Sequence, residues 1–547
     1  MNITDKIRQF FKGDVVDDEK SLEEYSRDAS IFAIKPKVVT FPRDVNDIKN
    51  IVKFVSREKL ENLEISLTPR AAGTDMSGGP LTDSIVVSTT KYLNHVKEIG
   101  AGYAITEPGV FYRDFDKLTM EKGYILPSYP ASRELCAVGG MVGNNSGGEK
   151  NLAYGETEHW VESLKMVLAD GNEVEFSKLS FDQLEEKKKG ISLEAEIYQK
   201  MSRLITDNYD EVKDARPQVS KNSSGYFLWD VMDKDAKTFD LSRMIVGSQG
   251  TLGIITEIKF KLIKPKEHAR MLIIFLKDLN LLPLVVNKVM AYKPESFESY
   301  DDNTIKIGLK FLPDILKIMK GNFLTMVFQF LPEFWMALTG GMPKLILMAE
   351  FTGDSDEEAY QKTVKAYESL RVMKLKTKIT KTEKEIKKYW IFRRESFNLL
   401  RHHMKGTRTA PFIDDVIVNP DKLPEFLPKL NALLKQYDLT YTIAGHIGDG
   451  NFHIIPLMKL SDPKAKEIIE NLSRQVYKLV IEYGGSITAE HNDGLVRSPF
   501  VKEMFGDKVF SLFEEAERIF DPQNIFNPVK KINATMKYSM EHLDTRI

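Results

Sequence analysis

Three of the nine histidines fall between positions 446 and 491, in two short motifs. The first is Gly445-His446-Ile447-Gly448-Asp449-Gly450-Asn451-Phe452-His453. Its two histidines bracket a Gly-Asp-Gly turn, and a chain reversal there would bring them side by side. Neutral imidazole is the commonest transition-metal ligand. The second motif is Ser486-Ile487-Thr488-Ala489-Glu490-His491-Asn492-Asp493-Gly494. Neighbouring side chains on a strand point to opposite faces. Glu490 and His491 can therefore share one site only if the strand ends there, and Asn492-Asp493-Gly494 supplies an ending. His446, His453 and Glu490 form a ligand set that leaves coordination positions open for water or substrate. The spacing is equally that of two buried, hydrogen-bonded histidines and an unrelated Glu-His pair.

Three glycine-rich loops form a second group. Pro69 to Val87 reads PRAAGTDMSGGPLTDSIVV, with glycines at 73, 78 and 79 and hydroxyls at Thr74 and Ser77. Such a loop can turn its backbone N–H groups one way and cradle phosphate without a basic side chain. The second loop, from Cys136, holds Gly139, Gly140, Gly143, Gly147 and Gly148. The third, from Ile245, holds Gly247, Gly250 and Gly253 and leads into a β-branched run. Neither a Rossmann fingerprint nor a P-loop occurs. Any one of these loops reads as a tight turn; three together, each close to a strand, favour a large, flat, anionic cofactor.

The three loops resemble those of the FAD-linked oxidases and dehydrogenases of the vanillyl-alcohol-oxidase (PCMH) type. The resemblance runs over roughly residues 36 to 530. It implies that the first loop binds the FAD pyrophosphate through Arg70, Ala72, Gly73, Thr74, Asp75, Ser77, Gly78 and Gly79. Gly139, Gly140, Asn144, Ser146 and Gly147 follow from the second loop, and Ile254 and Ile255 from the third. Some relatives attach the flavin through a histidine near the first loop. Here the nearest are His95 and His159, so non-covalent FAD is expected.

GHxGDGNxH followed by AEH is similar to the D-2-hydroxyacid dehydrogenase branch of that family, which acts on D-lactate, glycolate or D-2-hydroxyglutarate. The resemblance implies a divalent metal (Zn, Mn or Fe) on His446, His453 and Glu490, with His491 at the substrate. Tyr389-Trp390-Ile391-Phe392-Arg393-Arg394-Glu395 is similar to the family's Trp-x-x-Arg-Glu segment with one residue inserted. Anchored on Arg-Glu, it gives Arg394 the substrate carboxylate, which fits a guanidinium fork. Its neighbour Arg393 leaves the choice between the two open. Asn398, Phe412-Ile413 and Ile455 depart from the hydroxyglutarate enzymes. The implied reaction oxidises a small D-2-hydroxy acid to the 2-oxo acid, with His491 as base and hydride passing to flavin N5. Two other readings are a non-redox flavoenzyme of the alkyl-dihydroxyacetonephosphate synthase type and a non-catalytic subunit of an oxidoreductase complex.

The elements around these motifs imply an α+β protein. Residues 1–35 read as a polar helical lead-in. Residues 36–265 read as a PCMH-type FAD domain of two subdomains, in which Ile48, Ile51, Val52 and Val55 share one helix face. Residues 266–500 read as an α+β cap with an antiparallel sheet, its strands at Met271–Leu276 and Leu345–Phe351 alternating with charged helices. Residues 501–547 read as a helix from Val501 returning to the FAD domain, then a frayed tail from Met536.

The balance of 77 basic and 79 acidic residues excludes a dedicated nucleic-acid binder. One cysteine, Cys136, excludes an internal disulfide or an iron–sulfur cluster held by this chain alone. Electrons would then leave to a separate iron–sulfur protein, quinone or cytochrome. The N-terminus lacks an apolar signal region, so a cytoplasmic location is expected. The aromatic-rich stretch Gly321–Pro343 is open to three readings: cap core, partner surface, or peripheral contact with the inner membrane face.

Overall fold

The structure is a computed structural model, and it describes residues 2–61, 64–302, 304, 306, 341–391, 393 and 406–546. Arg394, Asn398 and residues 321–340 lie outside the described residues.

The first sheet joins β1 (Asp14–Val16), β2 (Val38–Phe41), β3 (Leu67–Arg70) and β4 (Ile85–Ser88) in the order β1-β2-β4-β3. β2, β4 and β3 run parallel, and β1 is an antiparallel edge. Parallel strands are covered on both faces, which is why they read as unbroken β-branched runs. Val38, Val39, Ile85, Val86 and Val87 are all fully buried. The helix Val45–Leu60 crosses over between β2 and β3. Asp44 caps it, accepting from the Asn46 and Asp47 amides, and Ile48, Ile51, Val52 and Val55 form its buried face. β1 corrects the expectation of a helical lead-in: the pair Val15-Val16 gives this segment strand character between its two short helices, Ile3–Arg8 and Glu19–Tyr25.

The second sheet is antiparallel. It contains β5 (Val96–Gly100), β6 (Tyr103–Thr106), β7 (Val161–Val167) and β8 (Glu173–Ser177). A small three-stranded sheet intervenes, formed by β9 (Leu179–Ser180), β10 (Met232–Asp233) and β11 (Thr238–Phe239). β12 (Ile254–Lys261) then enters the middle of the second sheet, giving the order β5-β6-β12-β7-β8. Burial alternates along β12, so Ile254 and Ile255 face opposite ways.

The third sheet carries the histidine motifs. Its strands are β13 (His268–Leu276), β14 (Ser296–Asp301), β15 (Leu345–Gly353), β16 (Lys376–Ile379), β17 (Arg408–Thr409), β18 (Val416–Ile417), β19 (Thr440–His446) and β20 (Asn451–Met458). The order is β16-β13-β15-β14-β19-β20-β17, with β18 also on β20, and every pairing is antiparallel. The helix Asp356–Leu370 packs on β13 and β15. The architecture is α+β with an antiparallel sheet in the C-terminal half.

The C-terminal segment returns to the first half. Its helix starts earlier than expected, at Gly494, and breaks at Gly506, where φ is +77°. After it, Leu67 N–H donates to Ile525 O (2.7 Å) and Asn527 N–H donates to Leu67 O (2.8 Å), which continues the first sheet past β3. The tail from Met536 is not frayed. Thr535 caps a helix at Met536–Glu541, and Leu543 bridges to Phe32. Asp544, buried, pairs with Arg27 (2.8 Å) and Arg408 (3.3 Å). A carboxylate taken out of water needs such partners, and these two fix the chain end.

Val529, just after this return, has φ +59°, a left-handed conformation rare for a β-branched residue. The strain costs about 1–2 kcal/mol, and glycine would relieve it while losing part of that gain to a freer unfolded chain. Val529→Gly should therefore raise the melting temperature slightly and leave cofactor content unchanged. A fall in the melting temperature would show that the side chain contributes more by packing than the backbone loses.

Candidate functional site

One continuous cavity runs from the three glycine loops to the histidine motifs. Of the expected cofactor contacts, Arg70, Ala72, Gly73, Thr74, Asp75, Gly79, Gly139, Gly140, Asn144, Ser146, Gly147 and Ile255 lie on its wall. Ser77, Gly78 and Ile254 do not. Ser77 is buried beneath the loop, and its carbonyl accepts from the Leu495 and Val496 amides (2.7 and 3.2 Å). Gly78 backs onto Phe32 and Leu495. Ile254 packs with Ile48, Val52 and Leu67 in the core under the first sheet.

Asp75 explains the shape of the first loop. Its Oδ2 accepts from Ser77 N (3.0 Å), Ser77 Oγ (2.8 Å) and Gly79 N (2.7 Å). Those amides thus bind the loop's own carboxylate and do not point outward as a bare glycine loop would allow. Arg70 donates to the carbonyls of Tyr25 (3.0 Å) and Arg27 (2.6 Å). Gly250 has φ +73°, and a β-carbon there would lie 2.3 Å from Pro69, so only glycine lets the first and third loops meet. Neither His95 nor His159 lines the cavity.

At the other end stand His446, His453, Glu490 and His491. The hairpin β19–β20 supplies the first two. Its register pairs His446 with Asn451 and Ala444 with His453. With side chains alternating at every residue, His446 and His453 fall on one face as diagonal neighbours, their ring centres 5.2 Å apart. Gly450, at φ +77°, turns the hairpin where a β-carbon would strike Val418 O.

Glu490 and His491 are brought to the same wall by Asp415, which the sequence reading did not single out. Asp415 Oδ2 accepts from Thr488 Oγ1 (2.7 Å) and from the backbone amides of Ala489 (2.9 Å), Glu490 (2.7 Å) and His491 (2.7 Å). Successive amides converging on one oxygen curl the chain, so the two side chains need not alternate.

Two more carboxylates aim the imidazoles. His446 Nδ1 lies 2.6 Å from Glu298 Oε1, and Glu298 Oε2 pairs with Arg393. Asp414 places one oxygen 3.2 Å from His453 Nδ1 and the other 2.9 Å from His491 Nδ1. Nδ1–H given to a carboxylate leaves the Nε2 lone pairs of His446 and His453 for the cavity. His446 Nε2 is 3.4 Å from Glu490 Oε1. Donor atoms of Asp415, His453, Glu490 and His491 all come within 4.8 Å of one another. Asp415 is already occupied by the 488–491 backbone and by Asn451, which leaves His453, Glu490 and His491 of that group; the expected ligand His446 lies outside it and approaches it only through Glu490. Lys221 Nζ sits 2.6 Å from Glu490 Oε1 and 3.1 Å from Asp449 Oδ2.

The electrostatics fit a cation. Burial pushes the Glu490 carboxyl up, but Lys221 and then His446 outweigh it and hold it well below the usual range. Burial pulls His446 down, and Glu298 reverses this to about 9; His491 also reaches about 9, through Asp415 and Asp414. Buried carboxylates here draw protons onto the imidazoles. A divalent ion would supply the same positive charge and displace those protons.

Lys221, Glu298, Asp414 and Asp415 are missing from the sequence reading. Asp414-Asp415 was detectable, as two acids inside the apolar run Ala410 to Val418. Glu298 and Lys221 give no such local sign. Arg393 lines the cavity, and among the described residues its buried Nε has no hydrogen-bond partner. Phe412 and Ile413 are core residues, whereas Ile455 is on the cavity wall.

Comparison with known proteins agrees with this arrangement. Residues 36–177 match the FAD binding domain, and residues 265–531 match the FAD linked oxidases, C-terminal domain. The D-2-hydroxyglutarate dehydrogenase of Pseudomonas putida is 26% identical over 527 residues, 95% of this chain and 50% of that protein. The chain thus spans about half the length of that relative. The glycolate oxidase subunit GlcD of Bacillus subtilis is 24% identical over 520 residues, covering 92% of this chain and 91% of that one. Substrate-bound p-cresol methylhydroxylase superposes with a TM-score of 0.68 at 15% identity, over 97% of this chain and 96% of that one, which shows a shared fold. The chain belongs to the FAD-linked oxidases, carrying their FAD binding domain and, after it, their C-terminal domain.

Proposed function

We propose that the protein oxidises a small D-2-hydroxy acid, such as D-lactate or glycolate, to the 2-oxo acid with non-covalent FAD and a divalent metal. The observation that carries this is the single cavity linking the three glycine loops to the His446-His453-Glu490-His491 wall. The relatives named for D-2-hydroxyglutarate and glycolate point to the same substrate class.

FAD held along the loops would supply the acceptor for the two electrons, and a metal held by His446, His453 and Glu490 would supply a Lewis acid for the substrate hydroxyl. The remaining work falls to the chain. His491, with Nδ1 on Asp414, takes the hydroxyl proton at Nε2. An arginine orients the substrate carboxylate. The Arg-Glu motif assigns that role to Arg394, outside the described residues; Arg393, on the cavity wall, is the second candidate. Ile455 makes the wall beside His453 apolar, which suits a short side chain better than a second carboxylate. With one cysteine, buried and its thiol pushed up to about 12 by burial, the electrons pass to a separate acceptor. Among the described residues no helix is long and apolar enough to cross a membrane. A panel of D- and L-2-hydroxy acids with a dye acceptor tests the whole reading; no turnover with any D-acid would refute it.

The purified protein should be yellow, and acid precipitation should release FAD into the supernatant. Flavin retained in the pellet would contradict the non-covalent assignment.

Alanine at His446, His453 or Glu490 should remove the metal and nearly all turnover while FAD stays bound. His491→Ala should keep metal and FAD and lose turnover by about a hundredfold to ten-thousandfold. Hydroxy-acid oxidation that survives chelation of the metal would rule out metal assistance.

Lysine cannot reproduce a guanidinium fork, and losing such a charged hydrogen bond costs roughly tenfold to a hundredfold in affinity. Replacing the clamping arginine should raise KM by that factor. Comparing Arg393→Lys with Arg394→Lys identifies it, and unchanged KM in both variants would place the carboxylate elsewhere.

A further inference from the structure

Glu298 is a buried carboxylate that faces a histidine with one oxygen and an arginine with the other, both on the cavity wall. It lies on β14, 1% exposed in its side chain, with sheet neighbours on both sides. Burying a carboxylate is costly unless both oxygens are satisfied. Oε1 faces His446 Nδ1 at 2.6 Å, and Oε2 faces the Arg393 guanidinium. The two partners come from separate segments: His446 ends the neighbouring strand β19, and Arg393 is helical, as are residues 383–391 before it, Trp390 among them. Both line the cavity.

We infer that Glu298 is a positioning residue that couples the two halves of the site, aiming the metal-binding imidazole with one oxygen and holding the Arg393 guanidinium with the other. This rests on the proposed metal at His446, His453 and Glu490. The chemistry of the carboxylate makes the coupling specific. Both neighbours are donors, and a carboxylate accepts from both. A glutamine of the same shape has one acceptor end, and its NH2 must face one of the two donors. The link therefore cannot survive Glu298→Gln, although the fold can.

The test is a double-mutant cycle read as metal affinity, with zinc or manganese competed against a chromophoric chelator and FAD content as the check on folding. Glu298→Gln should weaken metal binding about tenfold to a hundredfold, as loss of a ligand's supporting carboxylate does. Arg393→Met should change metal affinity severalfold although Arg393 holds no metal, because Glu298 is then left to His446 alone. In the Glu298→Gln background that change should shrink by at least threefold. Unchanged metal affinity in Glu298→Gln, or an Arg393→Met effect of equal size in both backgrounds, would overturn the coupling. If the Gln variant takes up no FAD, Arg393→Met decides alone, and an unchanged affinity overturns the inference. A wild-type protein that binds neither metal removes the functional reading itself, and this inference with it.

Discussion

A carboxylate cut off from water must be given donors, and Asp415 takes four of them from one stretch of chain. Its backbone sits at φ +67°, an uncommon conformation that the four bonds hold in place. The geometry beyond it follows. The curl at 488–491 sends Glu490 and His491 to one wall. Asp414, next in the chain and fully buried, stands between His453 and His491, whose rings stack at 5.1 Å. Arg497, also fully buried, donates to Asp414 O (2.8 Å) and Asn492 O (2.9 Å) and ties the segment's two ends together. Without Asp415, three amides and a hydroxyl would lose their acceptor, and the site would lose its shape before it lost a ligand.

The same curl is attached to the glycine loops, which fixes the spacing between the two ends of the cavity. Asn492 donates to Asn144 O (3.1 Å) and Gly247 O (2.9 Å), on the second and third loops. Asn144 donates in return to Glu490 O (3.2 Å). Lys531, from the returning C-terminus, holds Asn492 Oδ1 at 2.6 Å, and Asn527 joins the first and third loops through Gly79 O and Gln249 O. An oxidation that takes a proton on one side of the substrate and an electron pair on the other needs both acceptors at fixed distance. Here that distance is set by asparagine side chains that donate to backbone carbonyls.

What the sequence made legible follows period and turn chemistry. His446 and His453 could be paired because a Gly-Asp-Gly reversal and a two-residue repeat leave few registers. The buried face of the helix Val45–Leu60 was legible for the same kind of reason. Glu490 and His491 could be named, but the group that orients them lies 75 residues away in the chain. Glu298 is 148 residues from His446, and Lys221 is 269 from Glu490. No local pattern encodes such pairings. The first loop shows the converse. Its glycines announced a cradle, but Asp75 binds two of the amides, and only the folded loop reveals which donors remain. The tail looked frayed by composition and is ordered by two arginines from distant segments.

Charge completes the picture of why so many acids surround the histidines. Glu298, Asp414, Asp415, Asp449 and Glu490 are all buried within a short distance of one another, faced by Lys221, Arg393 and Arg497. Five carboxylates against three fixed cations leave a deficit of positive charge. Protons on His446 and His491 can meet it, as the upward shift of both imidazoles indicates. Under the proposed function a divalent ion would meet it too and would free the imidazoles to act as ligand and base. Metal affinity and catalytic readiness would then draw on one electrostatic deficit. That shared origin would explain why Glu298 and Asp415 stand behind the cavity wall, where they set side-chain orientation and charge together.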